Sequence, residues 1–179
     1  MTLHAITEWI RYKWRAKSRH GIHSPFVYDF VERVLMERRP LPDDVLALKL
    51  DFYGPQPATR ARMVAPHYQK LPERIATIYN YEKLVVACTE NDEEPKICNY
   101  LLISAEPRVW IRLFNRHFPL MPGDSCIIIA DIHKTRRHTG KWNRICNHPK
   151  VRMSIDLYGA GVIFFRTDFK EKQHFVLRY

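Results

Sequence analysis

The sequence predicts an α/β fold built on a mostly parallel sheet, with a helical cap at the N-terminal end and an antiparallel hairpin at the C-terminal end. Three observations carry this. From residue 97 onward strand-like and helical segments alternate: ICNYLLISAE (97–106), EPRVWIRLFNRHF (106–118), SCIIIADIH (125–133), HTGKWNRICNH (138–148). The runs LLIS and CIIIA are apolar throughout, as strands covered by helices on both faces must be. The segment VRMSIDLYGAGVIFFR (151–166) instead alternates about Gly159 and Gly161, which suits a hairpin that HFVLRY (174–179) extends. One domain over 1–179 is expected, comprising a cap over 1–39 and a core over 71–179.

The N-terminal elements follow from local chemistry. Ile6, Trp9, Ile10 and Trp14 recur at helical spacing within 5–16, predicting an amphipathic helix that buries this stripe and turns a basic face outward. Ser24 followed by Pro25 is a helix start: the hydroxyl caps free N–H groups, and proline at the first position has no N–H to leave unsatisfied. Phe26, Val27, Phe30, Val31, Val34 and Leu35 then form one apolar stripe, ending near Arg39-Pro40. Residues 40–72 hold six prolines and little periodicity. Within them LALKLDF (46–52) reads as a short strand and GPQPATR as a turn. A helix fits LPERIATIYNY (71–81), a strand fits YEKLVVACTE (81–90), and NDEEPK (91–96) is an acidic turn.

The 179 residues are 46% apolar, enough for a real core, and carry a formal charge of +10. Such a surface attracts anions, so an anionic ligand or nucleic acid is the expected class of partner. Much of the excess sits in RYKWRAKSRH (11–20) and in KTRRHTGKWNRICNHPKVR (134–152), which has seven Lys or Arg and no acid. Arg136, Arg137, Lys141 and Arg144 are the candidate contacts to phosphate or nucleic acid, with interleaved Trp and His available for bases. A solvated cationic face is the plainer alternative. Cys88, Cys98, Cys126 and Cys146 lie in or beside apolar runs without CxxC spacing, predicting buried reduced thiols. No stretch approaches the roughly 20 apolar residues of a membrane span, so a cytoplasmic, soluble chain with no membrane partner is expected.

The motifs GDSCIIIADIH, HPKVRMSIDLYGAGVIFFR and EKQHFVLRY, in this order, resemble the C-terminal half of class I S-adenosylmethionine-dependent methyltransferases. HGIHSPFVYDFV looks like the N-terminal signature of a small bacterial subfamily of them, marked by HGxHSPF. The resemblance covers roughly 8–39 and 97–179, and it implies a Rossmann-like methyltransferase sheet. It also implies a glycine-rich loop around the cofactor and an acid on the ribose. Here KLVVACTENDEEPKIC (83–98) stands in that place, and no glycine occurs between Gly54 and Gly123. Some 30 residues are needed for each strand–helix–strand unit, so two strands of that pattern have no room. Ser104-Ala105-Glu106 replaces an acid followed by glycine, and the family's Asp-Asp-Ile-His is Ala130-Asp131-Ile132-His133.

The resemblance therefore implies a reduced sheet lacking the cofactor-binding segment. The expected function is a degenerate methyltransferase-like protein retained as a binding or regulatory module, with no cofactor and with homodimerisation through an unprotected sheet edge. The alternatives are a methyltransferase with a site rebuilt around Asp131 and His133, using S-adenosylmethionine, or a basic nucleic-acid-binding protein.

Asp131 and His133 are the candidate catalytic residues, since they fall at the carboxyl end of a predicted parallel strand, where open α/β sheets place ligands. Strand alternation would put both on one face, with Asp131 orienting His133 as a base. The competing reading is an Asp that caps the next turn and a His packed beside it. His20 and His23 precede the Ser24-Pro25 helix start, so they belong to a turn; if that turn closes over the strand edge they line a pocket. No metal is expected. Trp9 and Trp14 are assigned to core or dimer packing.

Overall fold

The computed structural model describes residues 3–18, 21–36, 48–53, 68–89, 94–95, 97–166 and 168–178. The helix end near Arg39-Pro40, the turn GPQPATR, the acids Glu90, Asp92 and Glu93, and His20 lie outside the described residues.

The elements run α1 (Leu3–Arg15), α2 (Pro25–Phe30) continued by a π-helical turn (Val31–Met36), β1 (Lys49–Tyr53), α3 (Leu71–Tyr79), β2 (Lys83–Ala87), β3 (Tyr100–Ile103), α4 (Pro107–His117), β4 (Ser125–Ala130), α5 (Arg136–Cys146), β5 (Met153–Asp156), β6 (Ala160–Phe165) and β7 (Gln173–Val176). The strands form one sheet in the order β1-β2-β3-β4-β6-β5-β7. Only β6 is antiparallel to its neighbours β4 and β5; the remaining pairings are parallel.

Period-two alternation divides the core into two layers. Leu84 and Val86, Tyr100 and Leu102, Cys126 and Ile128, and Met153 and Ile155 point to the layer that holds α2, the π turn and α3. Val85, Leu101 and Ile103, Ile127 and Ile129, and Ile163 point to the layer that holds α4 and α5. The helix starting at Ser24 forms as expected: Ser24 Oγ accepts from Val27 N (3.5 Å), and Val27, Phe30, Val31, Val34 and Leu35 are buried. Phe26, half-buried, meets Phe164 edge-on at 4.9 Å.

Three expectations are corrected. The sheet is not reduced: it has seven strands. β1 arrives from the N-terminal side and pairs along β2 from Lys49↔Lys83 to Tyr53↔Ala87, supported by Lys83–Asp51 at 2.7 Å. A strand from upstream thereby satisfies the outer backbone groups of β2. HFVLRY does not lengthen the hairpin; β7 runs parallel to β5 on the far side of it. Beyond β7, Lys17 bridges to Leu177, with Lys17 N donating to Val176 O at 2.8 Å, so that edge is partly covered by the segment after α1.

The third correction concerns α1. Its apolar stripe faces solvent, with Leu3 82% and Trp14 89% exposed and Ile6, Trp9 and Ile10 also exposed, while Tyr12 is its only buried residue. The polar side is held inward by specific bonds: Tyr12 Oη donates to Leu177 O, Tyr158 Oη to Ala5 O (2.9 Å), and His4 Nε2 lies 3.3 Å from Thr139 Oγ1. Hydrogen bonding to β7 and α5 thus outweighs the preference of the stripe for burial.

Candidate functional site

β4 delivers Ala130 at its carboxyl end, and the chain then leaves strand geometry. Asp131 takes a left-handed conformation (φ 60°) with its N–H donating to Gly159 O at 2.7 Å. The alternation predicted across Asp131 and His133 is broken there. Asp131 turns to solvent and pairs with Lys134 Nζ at 3.3 Å, whereas Ile132 and His133 turn inward. Asp131 does not orient His133.

The partner of His133 is Asp156, at the carboxyl end of β5. His133 Nε2 donates to Asp156 Oδ2 at 2.7 Å, with the residues 7% and 5% exposed. On the other side of the ring, Nδ1 lies 3.0 Å from Thr139 Oγ1 of α5, whose hydroxyl also donates to Thr135 O at 3.4 Å. Asp156 Oδ1 accepts from Tyr158 N (2.8 Å) in the β5–β6 turn, and the Tyr158 ring stacks on His133 at 5.7 Å. The imidazole is therefore immobilised on every side by β5, α5 and the hairpin turn. With Asp156 on one ring nitrogen and the Thr139 hydroxyl beside the other, the dyad forms a polar wall at this edge of the sheet.

That wall belongs to a cavity of about 430 Å³ between α1, α5 and β7. The period-two register explains its polarity. Ser154 and Asp156 of β5, and beside them His174 and Val176 of β7, face the α5 layer, while Met153, Ile155 and Phe175 face the other. Ser154 Oγ lies 2.8 Å from His174 Nδ1. α1 contributes Glu8, Arg11 and Arg15, and the chain before β7 contributes Lys172. Glu8 binds Arg11 at 2.8 Å and approaches His133 Nδ1 at 4.0 Å, and Lys172 Nζ donates to His148 O at 3.2 Å. Both carboxylates of the cavity are thus already paired, and the cationic side chains exceed them. Asp156, Lys172 and His174 are not among the candidates offered by the sequence. The available signal was polar residues at alternate positions of otherwise apolar strands, in MSID and QHFV.

Burial lowers the pKa of His174 from its ordinary 6.5, with Arg15, His133 and Lys172 adding to the shift against Asp156; burial likewise lowers that of His138. The folded state therefore favours neutral imidazoles, and their contribution, fully present above the unfolded value of 6.5, is lost as pH falls through the depressed values. The urea midpoint is expected to decline between about pH 7 and pH 5, and His174→Gln to flatten that decline. A midpoint independent of pH over this range would contradict the assignment.

The other expected contacts are distributed differently. Arg136, Arg137 and Arg144 are exposed on α5 and Lys141 is half-buried. Trp142 and His138 are buried, so α5 offers cations to solvent without rings for stacking bases. His23 is exposed and does not line this cavity. The cysteines are unbridged; Cys98, Cys126 and Cys146 are buried, and burial pushes the Cys98 thiol up to about 11 and the Cys146 thiol up to about 12. No metal-sized group of three His, Cys, Asp or Glu occurs among the described residues, and none of their helices is long and apolar enough to cross a membrane.

A second cavity, of about 320 Å³, lies at the carboxyl ends of β2 and β3, lined by Cys88, Thr89, Glu106, Arg108, Val109 and Arg112. Comparison with protein-family models, curated proteins and solved structures finds no match to this chain.

Proposed function

We propose that this protein is a methyltransferase-like scaffold retained as a binding module for a small anionic ligand, which it takes up between α1, α5 and β7 and not at the place the resemblance reserves for S-adenosylmethionine. The observation that carries this reading is the surplus of cationic side chains, Arg15 and Lys172 with the His133–Asp156 dyad behind them, around the 430 Å³ cavity. Two features support the scaffold part: β4, α5 and the β5–β6 hairpin follow in the order the resemblance implies, and β6 is the one strand running against the rest.

The residues at the other cavity do not fit the methyl donor. No glycine lets the backbone approach a ligand after β2 or β3, where Cys88, Thr89, Ser104 and Ala105 stand. Arg108 and Arg112 outnumber the one acid of that lining, Glu106, beside a cavity that would have to accept a sulfonium cation. At the α1–α5 cavity, Arg15 and Lys172 attract a phosphate or carboxylate, and the immobilised dyad keeps the wall from collapsing onto it.

Isothermal calorimetry with inorganic phosphate, a phosphate monoester, S-adenosylmethionine and its demethylated product tests this. One saturating site for the anions is expected, weakened about tenfold, or ~1.4 kcal/mol, by Lys172→Ala or Arg15→Ala. Stoichiometric micromolar binding of S-adenosylmethionine, untouched by these substitutions, would overturn it.

A further inference from the structure

An amphipathic helix on a folded domain normally turns its apolar stripe inward, and α1 does the opposite. Leu3, Ile6, Ile10 and Trp14 follow one another at intervals of three or four along its outer face, with Trp9 beside them, and all are exposed. Its inner face carries His4, Glu8 and Tyr12, committed to α5, the cavity and β7. The stripe is contiguous, not a scatter of single surface residues, and contiguous apolar surface of this kind marks an interaction site.

We propose that α1 is an interfacial helix that docks the protein on an anionic phospholipid surface. The charge around the stripe selects this occupant. Lys13 lies beside it, with its ammonium 5.4 Å from the centre of the Trp9 ring, and Lys17, exposed, follows the helix. α5, which α1 touches through His4 and Thr139, presents Arg136, Arg137 and Arg144 to solvent and contains no acid. The chain as a whole carries +10. A second copy approaching through the same face would meet like charge, whereas anionic headgroups complement it. Apolar side chains inserted at the headgroup level with basic residues around them is the arrangement of helices that lie in the interface plane. This mode needs no spanning segment. That none of the described helices is long and apolar enough to span a membrane does not bear on it, whereas packing of the stripe against a second copy is the competing occupant. The proposal is independent of the ligand assigned to the cavity.

The tryptophans provide the readout. Trp110 and Trp142 are wholly buried, so a change in emission on adding vesicles reports on Trp9 and Trp14. The full chain is titrated with vesicles of phosphatidylcholine alone and of phosphatidylcholine with phosphatidylserine, and binding is measured in parallel by cosedimentation. Expected are a blue shift and cosedimentation with the anionic vesicles only, reduced at raised salt, and at least about tenfold weaker partitioning for Ile10→Asp combined with Trp14→Ala. Both positions are exposed and outside the cavity, so the variant should melt with the parent. Three results would overturn the proposal: no binding to anionic vesicles at about 1 mM lipid; binding unaffected by the double substitution, as for attraction by charge alone; or a lipid-free dimer in sedimentation velocity that the double substitution dissolves.

Discussion

Replacing Asp156 with alanine is expected to lower the unfolding free energy by about 2–4 kcal/mol, measured by urea denaturation at neutral pH. The substitution removes the acceptor of His133 Nε2 and of Tyr158 N at once, and leaves a buried imidazole N–H with no partner. Asp156→Asn separates the two losses. Its amide oxygen still accepts from Tyr158 N, so a smaller destabilisation is expected, with disturbance confined to His133. The same Asp156→Ala protein should bind anions poorly, because the wall behind the cavity is no longer held. A variant as stable as the parent would show that the dyad does not organise this edge.

The second large effect lies in the α5 layer. Trp142 is fully buried and rests against β6, where a Cβ added to Gly161 would come within 2.6 Å of its ring. Trp142→Ala leaves a void that surrounding strands fill only in part, and about 3–5 kcal/mol of stability should be lost. Gly161→Ala probes the same contact from the other side: it forces ring and strand apart, with an expected cost of about 1–3 kcal/mol. The glycine that looked like part of a hairpin turn is thus a packing position opposite an aromatic ring. Equal melting of Gly161→Ala and parent would contradict this.

Much of the sheet was legible because its strands are short apolar runs. CIIIA and LLIS appear as buried parallel strands, and the Ser24-Pro25 start and the stripe after it reappear as a capped helix with its apolar residues in the core. What was not legible has a common cause: long-range pairing decides it. KLDFY carries no sign that it will pair beside KLVVA, and QHFV none that it will lie parallel to MSID. At α1 the period was read correctly and the face wrongly, because hydrogen bonds from residues more than 100 positions away turn the helix over. His133 stood out as a histidine after a buried strand, but Asp131 was paired with it by strand alternation, which ends at the left-handed Asp131 itself. Asp156 was overlooked because one carboxylate in a short strand resembles a solvated position until its neighbours fill in.

The proposed binding of an anion between α1, α5 and β7 can be read from NMR observation of the histidine side chains during titration. With a phosphate monoester, the imidazole signals of His133 and His174 should shift together and saturate at one midpoint. Those of His23, and the backbone signals of Cys88, Thr89 and Val109, should stay in place. Saturable shifts at Cys88, Thr89 and Val109 on adding S-adenosylmethionine, with His133 and His174 unmoved by any anion, would rule out this binding site.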